Sequence, residues 1–175
     1  MLQKISLRFD PVEDRLELCL VVKSADGTLG DHWLHLTRRV CASWRQDLQA
    51  MVDVSAQTPA NMNPAAKRAV SAAHHHAMAS QVPVRTETVA EVARPSTPPA
   101  LVTKIVCGRR KGDVRWTIRF EFRSQPSLSL VLNQSTLHGL VDAVARRVKT
   151  AEWGLAALAA EAPQAVPAVD TAHLH

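Results

Sequence analysis

The chain has 175 residues, 46% of them apolar, and carries a formal charge of +5 with a pI near 9.6. That length supplies one ordinary domain or two small ones, and the apolar share supplies a packed core, which excludes a wholly disordered or fibrous chain. With four Trp, three Phe and no Tyr, the core must be built mainly from Leu, Val, Ile and Ala.

The N-terminal stretch MLQKISLRFDPVEDR is charged throughout and holds no apolar h-region, so it does not read as a secretory signal. The longest apolar runs, Leu18–Val22 and Leu155–Ala160, are too short to cross a bilayer. Cys19, Cys41 and Cys107 are widely spaced and form no CxxC pair. Reduced thiols are expected, without a disulfide framework or a zinc cage. The expectation is a soluble, cytoplasmic protein with no membrane partner.

In chain order, Ile5, Leu7 and Phe9 alternate with Lys4, Ser6 and Arg8, the period-two pattern of a half-buried strand. Asp10-Pro11-Val12-Glu13-Asp14 supplies a turn, because proline cannot continue a ladder. Arg15–Lys23 alternates again, with Leu16, Leu18, Leu20 and Val22 on one face. Ser24-Ala25-Asp26-Gly27 turns, and Leu34 and Leu36 mark a third strand. Thr37 is placed to cap a helix whose buried stripe is Val40, Trp44, Leu48 and Val52.

From about residue 55 to 100 the composition shifts to Ala, Pro, Ser, Thr and Gln. Asn63-Pro64 is a good helix start, and an Ala-rich helix over 64–79 follows, expected to bury little. Arg94–Pro99 reads as flexible linker. Leu101–Cys107 forms the next strand, followed by the basic turn Gly108–Gly112. Val114, Trp116, Ile118, Phe120 and Phe122 alternate with Arg115, Thr117, Arg119, Glu121 and Arg123. Leu128, Leu130 and Leu132 make a further strand. A helix capped by Ser135 or Thr136 then carries Leu137, Leu140, Val141, Val144 and Val148 toward Trp153. Residues 159–175 read as a disordered tail.

The two halves echo each other. A shift of 98 positions sets Leu7 on Ile105 and Leu18 on Trp116; a shift of 96 sets Leu34 on Leu130, Trp44 on Leu140 and Val52 on Val148. The expected fold is α+β: two βββα units, 1–54 and 101–158, in pseudo-twofold arrangement, with antiparallel sheets, helices on their faces and a flexible Ala/Pro-rich linker. The two helices either pack on one face of the sheets or are exchanged between the halves. The strings PVEDRLEL, WLHLTRR and AEWGL resemble a group of small uncharacterised bacterial proteins. The resemblance spans the two structured halves, and it implies no activity, cofactor or site.

Catalytic signatures are absent from the sequence: no GxSxG, no HExxH, no glycine-rich phosphate loop. His74-His75-His76 cannot all face one ion, since consecutive helical residues diverge by about 100°. That tract reads as solvated, with His32, His35 and His138 as ordinary surface or half-buried residues. No cofactor and no metal are expected.

Two binding readings remain. Cys19, Val21 and Trp33 lie opposite the core phase of the first unit, and Val102, Val106 and Val131 opposite that of the second. Trp33, His35, Arg38 and Arg39 have no matching counterparts in the echo. The set Cys19, Val21, Trp33, His35, Arg38 and Arg39 is therefore a candidate surface for another protein or a second copy.

Charge suggests the alternative. The first 55 residues hold seven Lys or Arg against eight Asp or Glu, whereas residues 101–153 hold ten against four. Lys104, Arg109, Arg110, Lys111, Arg115, Arg119 and Arg123 form a candidate nucleic-acid face. The favoured expectation is a non-enzymatic interaction or assembly module.

Overall fold

A computed structural model describes residues 2–23, 26–81 and 98–155. In chain order the elements are β1 (Leu2–Asp10), β2 (Arg15–Lys23), β3 (Leu29–Thr37), α1 (Arg38–Ser55), α2 (Pro64–Ala79), β4 (Ala100–Gly108), β5 (Trp116–Phe122), β6 (Leu128–Leu132) and α3 (Gln134–Thr150). The fold is α+β. The expected linker over 94–97 and the tail over 159–175 lie outside the described residues.

The six strands form one sheet in the order β1-β2-β3-β4-β5-β6. Hairpin partners are antiparallel, with Leu7 opposite Leu18, Leu18 opposite Leu34, and Ile118 opposite Leu130. The centre is different. β3 and β4 run parallel, and only Leu34–Ala100 and His35–Leu101 are in register. The two expected antiparallel sheets are thus corrected to one mixed sheet with a short parallel seam. The reason is directional: β4 follows a long connection and enters in the same sense as β3, which a tight hairpin would not allow.

Aspartates close the turns as their short side chains predict. Asp10 Oδ1 accepts from Val12 N at 2.8 Å, and Asp26 Oδ1 from Thr28 N at 2.9 Å. Gly27 follows at φ +90, a conformation that needs a residue without Cβ.

Period-two alternation puts Leu7, Leu16, Leu18, Leu20, Leu34 and Leu36 of the first three strands on the same side as Trp116, Ile118, Phe120, Leu130 and Leu132. All join one buried cluster. Two irregularities shift the pattern. A bulge between Val102 and Lys104 sends Val102 into the core at 1% exposure, although simple alternation places it outside. Val114 lies before β5 and is exposed.

Thr37 caps α1, its hydroxyl accepting from Val40 N at 3.3 Å. Asn63 caps α2, with Pro64 in the first turn. Asn133, rather than Ser135 or Thr136, caps α3, accepting from Thr136 N at 2.8 Å. From an extended backbone the Asn133 side-chain oxygen reaches that amide and captures the cap two to three residues early. α3 ends at Thr150, short of Trp153, because Glu152 and Gly154 adopt positive φ.

The helices pack across the halves. α1 lies against β4: Trp44 donates from Nε1 to Cys107 Sγ at 3.2 Å and meets Phe120 edge-on at 6.0 Å between ring centres. α3 lies against β1: Arg147 Nε donates to the Leu7 carbonyl at 3.0 Å. Beyond α3, Trp153 meets Phe9 edge-on at 6.0 Å and donates to Asp14 Oδ1 at 2.6 Å. α2 packs against α3 and α1. Each fully buried Leu or Trp in these contacts contributes on the order of 2–3 kcal/mol, so the cross-packing outweighs the two-residue seam as the tie between halves. No helix among the described residues is long and apolar enough to cross a membrane.

Candidate functional site

The seam leaves a groove. β3 ends at Thr37 where α1 begins, so β4 continues past Leu101 without a parallel neighbour from β3. An open cleft of about 590 Å³ forms there. Its floor is apolar, with Pro99, Ala100 and Leu101 from the entry to β4 and Phe122 from the end of β5. Thr103, Ser124 and Gln125 supply polar atoms, and Arg39 and Arg123 supply charge. Among the described residues no carboxylate lines it. Arg39 sits in the first turn of α1, which carries no acidic residue. The positive end of the helix dipole therefore adds to the two guanidinium charges.

This cleft joins one residue from each set suggested by the sequence, Arg39 from the protein-binding set and Arg123 from the basic set. The remaining members of those sets are divided. Arg38 is exposed, while Trp33 and Val21 are half-buried and Cys19 is buried. His35 is buried in a cross-strand row with Arg8 and Glu17. Arg8 Nε donates to Glu17 Oε2, Glu17 Oε1 lies 3.2 Å from His35 Nε2, and the Arg8 guanidinium stacks over Trp33 at 5.7 Å. The outer face of the first three strands thus carries a linked polar row, Arg8, Glu17 and His35, with Trp33 packed against Arg8.

In the second half, Lys104, Arg109, Arg110, Lys111, Arg115, Arg119 and Arg123 are all exposed. Two are neutralised locally. Arg119 pairs with Glu121 at 3.0 Å, and Arg115 pairs with Asp113 at 3.0 Å. The Arg115 side chain and its backbone amide hold the Asp113 carboxyl down at about 2. Arg109 stacks over the buried Trp116 ring at 4.9 Å.

A second polar constellation was hidden from sequence reasoning. His138, expected at the surface or half-buried, and His75, expected in a solvated tract, are 0% and 1% exposed where α1, α2 and α3 meet. His75 Nδ1 lies 2.7 Å from His138 Nδ1, and His138 Nε2 lies 2.8 Å from Ser55 Oγ. Gln134 Nε2 reaches His74 Nε2 at 3.2 Å, and Ser71 Oγ donates to Asp53 Oδ1 at 2.8 Å. Burial, with His75 and His74 alongside, lowers His138 to about 4. Burial also lowers His75, against the opposing pull of Asp142. The available signal was the four-residue interval Ser71–His75, which places two polar residues on one face of an Ala-rich helix.

The Ser55–His138 spacing is that of a nucleophile and its base. Ser55, however, is 4% exposed and its hydroxyl donates to the Val52 carbonyl at 2.7 Å, so this hydroxyl is placed as a structural bridge. Among the described residues no group of three His, Cys, Asp or Glu is placed to hold a metal. Cys41 and Cys107 are pushed up by burial to about 12 and about 11, which keeps both as protonated, weakly nucleophilic thiols at neutral pH.

The fold and the cleft together define a small α+β chain with a cationic, apolar-floored groove at a sheet seam. No family model, no curated protein and no solved structure matches it.

Proposed function

We propose that the chain is a non-enzymatic interaction module that takes an extended, acidic and apolar stretch of another protein into the seam groove. The observation that carries this reading is the convergence of Arg39 and Arg123, drawn from opposite halves of the chain, over an apolar floor with no lining carboxylate among the described residues. A carboxylate of the bound segment would meet two guanidinium groups able to bond it in bidentate fashion, and its apolar side chains would cover Leu101, which is 46% exposed. In the same reading the two βββα units form a pseudo-twofold pair that exchanges helices, so the groove lies where the units meet.

The test is fluorescence anisotropy with a labelled decapeptide of alternating Glu and Leu, beside its Lys/Leu counterpart. The acidic peptide should bind, and Arg39→Glu with Arg123→Glu should abolish binding while the circular dichroism spectrum is retained. No binding of the acidic peptide, or binding untouched by the double reversal, would remove the proposal. Sedimentation of the protein alone separates a second copy from a foreign partner.

A second reading, nucleic-acid binding, is favoured by the exposed run Arg109, Arg110 and Lys111 with Lys104 nearby. It is weakened by the burial of Trp116 and Phe120, which leaves no aromatic platform for stacking bases on that face. Salt-sensitive binding of a labelled single-stranded oligonucleotide, lost on reversing Arg109, Arg110 and Lys111, would establish it over the peptide reading.

A further inference from the structure

We propose that α2 is an acid-released latch, a helix held against α1 and α3 by a cluster of neutral imidazoles and let go when that cluster takes up a proton. The contact is unusual in composition. The only buried residues of α2 are Ser71 and His75, and its one β-branched aliphatic, Val70, is 41% exposed. Little apolar surface is removed from water, so docking depends on polar bonds: Ser71 to Asp53 of α1, His75 to His138 of α3, and His74 to Gln134 of α3.

The bonds fix where protons sit. A carbonyl can only accept, so the Ser55 hydroxyl hydrogen points at Val52 O. Ser55 Oγ must then accept from His138 Nε2–H, which leaves His138 Nδ1 as an acceptor. The proton between the two rings therefore belongs to His75 Nδ1. His75 Nε2 is left as a bare lone pair, buried and without a hydrogen-bond partner. That nitrogen is where the next proton goes. The resulting imidazolium would sit at 1% exposure with no acceptor on its new N–H, a costly arrangement that undocking relieves.

Among the described residues, the charged and titratable groups facing His75 and His138 are few. α1 contributes Asp53, already bonded to Ser71 and Gln49. α3 contributes Asp142, which favours charged His75 but is itself paired with Arg146 at 2.5 Å. α2 contributes His74 and His76, both of which disfavour it. Burial outweighs Asp142 and lowers both histidines. The sign follows: with both folded values below the usual 6.5, docking is fully supported above about 6.5 and is lost as pH falls below it.

Hydrogen–deuterium exchange of the whole protein, corrected for the intrinsic pH dependence of exchange, tests this. Amides of residues 64–79 should lose at least about tenfold in protection between pH 7.5 and pH 5, the scale set by one proton excluded from the docked state. Those of α3 and of the sheet should keep theirs. His75→Gln, whose amide can still donate to His138 Nδ1 and which leaves one lowered imidazole instead of two, should lose clearly less protection at pH 5 than the wild type. Unchanged protection of 64–79 at pH 5, loss in step with the sheet, or the same acid loss in His75→Gln would each overturn the latch. Should His75→Gln leave α2 undocked at pH 7.5, the wild-type profile decides alone.

Discussion

Trp153 is the point at which the cross-packing of the halves can be measured. It lies beyond α3, 3% exposed, with its ring edge-on to Phe9 of β1 and its indole N–H on Asp14 in the β1–β2 turn. Truncation to Ala removes the buried ring and leaves a cavity, a change that costs about 3–5 kcal/mol. Trp153→Phe keeps most of the apolar contact and loses only the bond to Asp14. A hydrogen bond to a charged group is worth about 1.5–3 kcal/mol; with Asp14 exposed to water, less than that, about 1 kcal/mol, is expected. Asp14 has φ 51, which Gly adopts freely, so Asp14→Gly removes the acceptor of that bond without straining the turn. The two single changes and the double change make a cycle in urea, followed by far-UV circular dichroism. A coupling near 1 kcal/mol would shift midpoints by about 0.3–1 M for a chain of this size. A coupling of zero, or a Trp153→Ala protein destabilised by less than about 1 kcal/mol, would show that the end of α3 is not seated on the first half.

Two further outcomes are expected. Glu17→Gln strands the Arg8 charge, whose side chain is 8% exposed, and should cost about 3–5 kcal/mol, whereas Arg8→Met with Glu17→Leu should recover most of the loss; equal melting temperatures for the two variants would refute that account. Native Cys41 and Cys107 should resist iodoacetamide at pH 8 and react only on unfolding, since burial holds both thiols protonated well above the usual 9. Their contribution to stability is full below pH 9 and declines above it, where the unfolded thiols ionise first. Rapid labelling of the native protein at pH 8 would contradict the burial.

The parts of this fold that repeat locally were legible in the sequence. Alternation of Leu16, Leu18 and Leu20, or of Trp116, Ile118 and Phe120, marks a strand because side chains in a strand face opposite sides in turn. Thr37 and Asn63-Pro64 announce helix starts because capping involves neighbours within three residues. Asn133 escaped because Asn, Ser and Thr stand within four positions and all can cap. Val102 misled because a bulge adds a residue to one strand without any mark in its composition. The histidines escaped for another reason. His75 and His138 are 63 positions apart, and each looks polar in its own helix; burial arises only when α2 and α3 meet. The same holds for the groove, whose two arginines are far apart in sequence and had been assigned to different surfaces.

The packing of helices across the halves has a consequence for how this chain could be cut. Expressed by itself, the first half would lack α3 on β1 and the second would lack α1 on β4. A break between α2 and β4 should therefore give two fragments that are aggregation-prone apart and fold on mixing. Those fragments would act as a split reporter whose reassembly rebuilds the seam, the groove and the histidine junction together.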